Sequence, residues 1–155
     1  MNTFLLFWDP HFSSYKLERF LKEFDFEEER DLLTDDDWGL PDDFNWRVVE
    51  HGHAHAGDRF FFVRVGDGEP TGMFGAGTFI SDPYEDENRS GRGFCMDMEI
   101  DEIIKPDSDK ILSTEALSAA IPEIDWTRGK VEVMVSEEVA EKIEDLWKQH
   151  IDSIW

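Results

Sequence analysis

Three histidines stand at alternate positions, His51, His53 and His55, in the segment HGHAH. On a strand, a period of two brings all three imidazoles to one face. Three imidazoles suffice to hold zinc or a similar ion. Gly52 and its neighbours suit a loop equally well, and no further ligand can be identified elsewhere in the chain. The histidines are therefore read as a polar rim or pocket wall, with His51 and His53 as ligand-binding candidates and no metal or cofactor expected. A second chemistry lies in aromatic residues at strand ends. Trp8 precedes Asp9-Pro10, Trp46 precedes Val48-Val49, and Tyr84 follows Pro83. Rings so placed either fill a core or form a cage around a flat base, each stack contributing on the order of 1–3 kcal/mol.

Other chemistries find less support. Cys95 is the single cysteine, so an intramolecular disulfide and a cysteine-based zinc site are excluded. It is read as a small buried hydrophobe in a strand. The chain contains no GxSxG, P-loop or HExxH pattern. Its GDGEPTGMFG and SGRG segments supply glycines without a P-loop lysine or a long helix behind them. With 37 Asp plus Glu, carboxylate pairs arise by chance and do not define a hydrolase. The acidic runs also lack EF-hand spacing. No catalytic residue is assigned.

These side chains need a frame, and the chain is long enough to build one. A sequence of 155 residues is read as a single domain, 1–155, and 13 Phe with 6 Trp can fill a proper core. The formal net charge of −22 implies repulsion from phosphate backbones and anionic membranes. The start, MNTFLLFWDPHF, has no basic region and only a short apolar run. Neither a signal peptide nor a membrane span is expected, and the expected location is cytoplasmic.

Residues 3–8, TFLLFW, read as a first strand. SSYKLERFLKEF follows as a helix, with Ser13 or Ser14 as cap. Residues 25–45 read as a mobile acidic loop, with room for a helical turn at EEERDLL, to be pinned by Leu32, Leu33, Trp38 and Leu40. Gly57-Asp58 opens a hairpin with strands at about 59–65 and 72–81. GFCMDMEI supplies a strand at about 93–100, STEALSAAI a short helix, and KVEVMV a late strand. SEEVAEKIEDLWKQHI is the clearest helix, with Ser136 as N-cap and a stripe of Val139, Ile143, Leu146 and Trp147. The order predicts an α+β fold with a curved or closed sheet flanked by helices.

Several of these segments occur together in one order: FLLFWDPHFSSYKLERFLKEF, NWRVV, GDRFFFVRVGDGEPTGMFGAGTFISDPYED, MDMEIDEII and IDWTRGKVEVMVSEEVAEKIEDLW. That order resembles the EVE-like branch of the PUA-like superfamily, and more narrowly the EVE-type domain often fused ahead of HNH nucleases in bacteria. The resembling features are the tryptophan and Asx-Pro after strand one, the second tryptophan, Gly-Asp before an apolar strand, the glycine-containing strand pair, and the S-x-P-Y-x-D exit. The resemblance implies a small curved β-barrel with flanking helices. It also implies a pocket where relatives (EVE, YTH, SRA and ASCH domains) accept a flipped or unpaired, often modified base. Carried onto this chain, it makes Trp8 and Trp46 pocket walls. Ser14 becomes a ligand or cap residue, Val48 to His53 the pocket border, and Gly57-Asp58 a structural turn.

The expected function is a noncatalytic module recognising a modified base or nucleotide, in DNA, in RNA or free. The chain stops at Trp155 without an HNH segment, so any cleavage is expected to need a separately encoded nuclease. The alternative is an acidic interaction or regulatory protein whose residue 25–45 loop engages a basic protein, with the barrel as scaffold. An enzyme of the ASCH-hydrolase kind is the weakest reading, since fold analogy alone supports it.

Overall fold

The computed structural model describes residues 2–10, 22, 24, 26, 31–34, 44–48, 54–66, 68–85, 94–127 and 132–154. Nine strands pair in one sheet: β1 (Thr3–Trp8), β2 (Leu32–Thr34), β3 (Phe44–Val48), β4 (Arg59–Arg64), β5 (Gly72–Phe79), β6 (Tyr84–Glu85), β7 (Phe94–Ile104), β8 (Leu112–Ser113) and β9 (Glu132–Val135). Among the described residues two helices can be given bounds, α1 (Thr114–Ala120) and α2 (Glu137–Ile154). The class is α+β. The main path runs β2-β7-β5-β4-β1-β9. β1 and β4 are parallel, and the other pairs are antiparallel.

The expected closed barrel is not formed: among the described residues β2 and β9 end the path and do not pair with each other. The 11 residues of β7 explain part of this. They carry β3 and then β2 end to end along one edge, opposite β6 and β5 on the other. A strand this long extends the sheet sideways where a shorter one would have ended.

The core follows from the Phe-rich strand β4. Phe60, Phe61, Phe62 and Val63 are all fully buried, so both faces of this strand are covered. Phe61 points to one face and meets Trp147 of α2 edge-on at 6.4 Å. Phe60 and Phe62 point to the other. There Phe60 lies 5.1 Å from Phe79, Phe62 stacks on Phe74 at 5.4 Å, and Trp8 meets Phe74 edge-on at 5.7 Å. Each such ring contributes roughly 1.5–3 kcal/mol by burial. β5 makes room for them with glycine: a Cβ on Gly75 would stand 2.9 Å from the Phe62 ring.

Helix α2 holds its face to the sheet through Val139, Ile143, Trp147 and Ile151, which are buried, with Leu146 partly so. Its start is capped as expected, with Val139 N donating to Ser136 Oγ at 3.3 Å. The α1 cap is Ser113, whose Oγ accepts from Ala116 N at 3.2 Å. Arg59 fastens α2 to the sheet. Its Nε donates to Glu144 Oε1 at 2.7 Å, its Nη1 pairs with Asp101, and its guanidinium lies 5.1 Å from the centre of the Phe61 ring. Burial opposes this charge, yet Glu144 and Asp101 together hold it above its ordinary range.

The segment 25–45, expected as an acidic loop, contains a strand: Leu32–Thr34 pairs with Ile104–Glu102. Leu32 and Leu33 are buried, as anticipated for the pins, and Phe44 and Asn45 already belong to β3. Trp38 and Leu40 lie outside the described residues. So does most of the expected helix after residue 12, of which Lys22 is helical and Phe24 buried.

Gly57-Asp58 shapes its turn and does more. Gly57 takes φ +93° and donates to Phe79 O at 2.7 Å. The Asp58 carboxylate, 6% exposed, accepts from Asn2 N at 2.9 Å and His55 N at 2.8 Å. It therefore clamps the start of β1 to the start of β4. Asp58→Ala leaves two donors without this acceptor and is expected to cost about 2 kcal/mol. Urea unfolding checks it, with Asp58→Asn expected to recover part of the loss.

Candidate functional site

The parallel pair β1/β4 ends with Trp8 and Arg64 as Cα partners, and Val65 N donates to Trp8 O at 2.9 Å. By strand parity Trp8 lies on the same face as Phe4, and Arg64 on the face of Phe60 and Phe62. Trp8 is 1% exposed. Its indole is part of the core in the free protein, and a ligand can stack on it only by opening that corner.

Arg64 is 7% exposed. Its Nη1 donates to Pro106 O at 3.0 Å, while its Nε is buried with no hydrogen-bond partner among the described residues. Burial pushes its pKa down, and the charges of Asp107 and Asp9 act against that fall. Glycines crowd the same corner. Asp9 packs so closely on Gly66, φ +112°, that a Cβ there would stand 2.7 Å from Asp9 Oδ2. A Cβ on Gly68 would stand 3.3 Å from Arg64 Nη2.

Tyr84 lies on β6, 38% exposed, and its hydroxyl donates to Asp97 Oδ1 at 2.6 Å. Ser81 Oγ accepts from Asp97 N at 2.9 Å, and Asp82 Oδ1 accepts from Ala56 N at 3.0 Å. The S-x-P-Y exit is thus a latch that ties the end of β5 to β7 and to the 54–57 turn. Trp46 and Val48 are in β3, paired with Met96 and Phe94. Ser14, His51 and His53 lie outside the described residues. His55 is exposed, with Nδ1 3.6 Å from Asp82 Oδ1. Trp8 and Tyr84 are not brought together by any contact of the described residues, and they sit on non-adjacent strands β1 and β6.

Among the described residues no group of three His, Cys, Asp or Glu is placed to hold a metal ion. No described helix is long and apolar enough to cross a membrane. Cys95 is buried in β7. A cleft of about 620 Å³ opens at the other end of β1, lined by Asn2, Thr3, Val135 and the α2 acids Glu137, Glu141, Glu144 and Asp145. Its carboxylates would repel any phosphate.

Arg64 is not among the site residues expected from the sequence. The signal that could have found it is its place at the end of RFFFVR, where an apolar run carries an arginine toward the interior.

The architecture defined here is that of an α+β protein built on one mixed, open sheet. A similar solved structure is the NMR structure of Rpa0253 from Rhodopseudomonas palustris, with TM-score 0.55 and 16% identity, covering 94% of this chain and 92% of that one. At that identity the likeness is one of fold. No protein-family model matches this chain, and no curated protein matches it.

Proposed function

We propose that this chain is a noncatalytic binding module of the EVE-like, PUA-like kind. It holds a modified base or a nucleotide at the corner where β1 and β4 end. The observation that carries this reading is the pairing of Trp8 with Arg64. Once the corner opens, the Trp8 indole gives a planar heterocycle a ring to stack on, and the buried Nε of Arg64, without a hydrogen-bond partner among the described residues, gives it a donor. The order of motifs from FLLFWDP to SDPYED supports it, since β1, β3, β4, β5 and β6, which carry the described parts of these motifs, belong to one sheet. By strand register Trp46, Val48 and Tyr84 lie beyond the opposite end of the sheet, where Thr3 and Arg59 stand, and are not part of this corner; Ser14, His51 and His53 lie outside the described residues.

The charge of −22 selects among ligands. A duplex binder draws affinity from phosphate contacts, and its affinity falls steeply with salt. This protein is suited to a single unpaired base or a mononucleotide. Tryptophan fluorescence should therefore report binding of single-stranded oligonucleotides carrying 5-methylcytosine or N6-methyladenine. The affinity should change less than about threefold between 50 and 200 mM salt, well below the loss of a multi-phosphate binder. No response to any modified or plain base would remove the reading.

A further inference from the structure

The acids of helix α2 fall into two groups. Some are answered by cations: Arg59 Nε donates to Glu144 at 2.7 Å, and Glu138 acts on Lys142, which also pairs with Glu123 at 3.0 Å. Glu137, Glu141 and Asp145 have no ion pair or side-chain hydrogen bond among the described residues. These three stand at positions i, i+4 and i+8, on one face of the helix and about 6 Å apart along its axis. Like charges at that spacing repel each other and weaken a helix. A local rule broken without compensation inside the fold is a mark of function.

The same three carboxylates line the cleft of about 620 Å³ at the Thr3 end of β1. That volume lies within the range of ligand sites, roughly 300–1,000 Å³. Val135 and Ala140 also line it and add apolar surface beside the acids. A lysine stem lies well on such a surface while its ammonium group reaches a carboxylate. Other occupants fit less well. A phosphate would be repelled. The acids are strung out along the helix, and among the described residues no group is placed to hold a metal ion. A second copy of this chain would bring a further charge of −22.

We infer that the α2 cleft docks a partner protein through an extended segment carrying Lys or Arg at alternate positions. In an extended backbone, residues i, i+2 and i+4 point to one side at steps of about 6.6–6.8 Å. The carboxylate ladder has a step of about 6 Å. Three alternate residues therefore span about 13 Å, against about 12 Å from Glu137 to Asp145. Each cation meets one carboxylate. The acidity of the whole chain draws a basic partner in, and the ladder sets its register. The cleft lies at the opposite end of β1 from Trp8, and the inference does not depend on the base-holding reading.

The test uses the full chain at low ionic strength, where exposed charges are least screened. The probe is the peptide GKSKSKG, blocked at both ends. Backbone amide shifts should move most at Glu137, Glu141 and Asp145. The peptide GKKKSSG has the same composition but turns only two lysines to one side. It should bind about threefold more weakly, as expected for one exposed ion pair lost. Glu141→Gln with Asp145→Asn should weaken GKSKSKG binding about fivefold. The same substitutions relieve the repulsion on the helix, so the thermal midpoint should not fall. Glu138→Gln with Asp152→Asn removes as much charge from α2 outside the cleft, and should change the affinity less than about twofold.

The inference falls if the two double variants weaken binding equally, because net charge alone would then be at work. It falls if GKKKSSG or spermidine binds as tightly as GKSKSKG, which would make the cleft a site for any polycation. A lower thermal midpoint for Glu141→Gln with Asp145→Asn would make these acids structural and overturn it as well. So would shifts centred outside the cleft, or none.

Discussion

Trp8→Ala is expected to destabilise the protein by about 3–5 kcal/mol, the range for deleting a buried tryptophan side chain. The indole is 1% exposed and meets Phe74 edge-on, and Phe74 in turn stacks on Phe62 with an interplanar angle of 9°. Alanine would leave a void beside rings that cannot collapse into it, because Phe60 and Phe62 are held between β1 and β5. Urea unfolding should show a lower midpoint with an unchanged slope. Trp8→Phe should restore most of the loss and keep a ring for stacking. A Trp8→Ala loss under about 1 kcal/mol would mean that the ring is a pocket wall already open in the free protein and not a core residue.

Gly72→Ala is expected to cost about 3–5 kcal/mol from two causes together. Gly72 has φ +147°, a conformation that strains any residue with a Cβ by about 1–3 kcal/mol. The added Cβ would also overlap the carbonyl oxygen of Leu112 and stand 2.9 Å from Ser113 Cα. Both obstacles are backbone, so no side-chain rotation relieves them, and overpacking of this kind adds about 1–3 kcal/mol. Gly72 pairs with Ser113, which caps α1, and Thr114 N donates to Thr71 O at 3.1 Å. Pushing β8 outward therefore loosens the helix as well. Gly57→Ala is the control: its φ of +93° carries strain, yet nothing stands within 4 Å of its Cβ. It should lose about 1–2 kcal/mol. Thermal unfolding that gave the two variants equal losses would contradict the clash at Leu112.

These expectations depend on features that differ in how well the sequence announces them. TFLLFW is legible as β1 because a short aromatic run closed by Asp-Pro leaves little else to form. Ser136 and the Val139/Ile143/Trp147 stripe announce α2 by cap and period. β2 does not announce itself. Its three residues sit amid acidic residues, and its partner on β7 lies some 70 residues along the chain. β7 runs on to Ile104 although the adjacent Asp101 and Glu102 break its alternation, because its register with β5 shifts there, Gly77 facing Ile100 and Ala76 facing Glu102. Asp58 is readable as a turn residue, whereas its hold on Asn2 spans 56 residues and belongs to tertiary structure.

The candidate corner shows the same division. Trp8 is visible as an aromatic at a strand end, but its burial depends on Phe74 from another strand. The burial of Arg64 was invisible because charge on a terminal strand residue ordinarily means solvent. Its burial follows from the sheet register that sets it opposite Trp8 and from the Pro106 carbonyl that catches Nη1.

The most direct test is to map backbone amide shifts while adding a single-stranded oligonucleotide with one modified base. The base-holding account predicts that the changes centre on Trp8, Arg64, Gly66 and Gly68. Changes centred instead on the α2 cleft at Glu137, Glu141 and Glu144, or none at all, would contradict it.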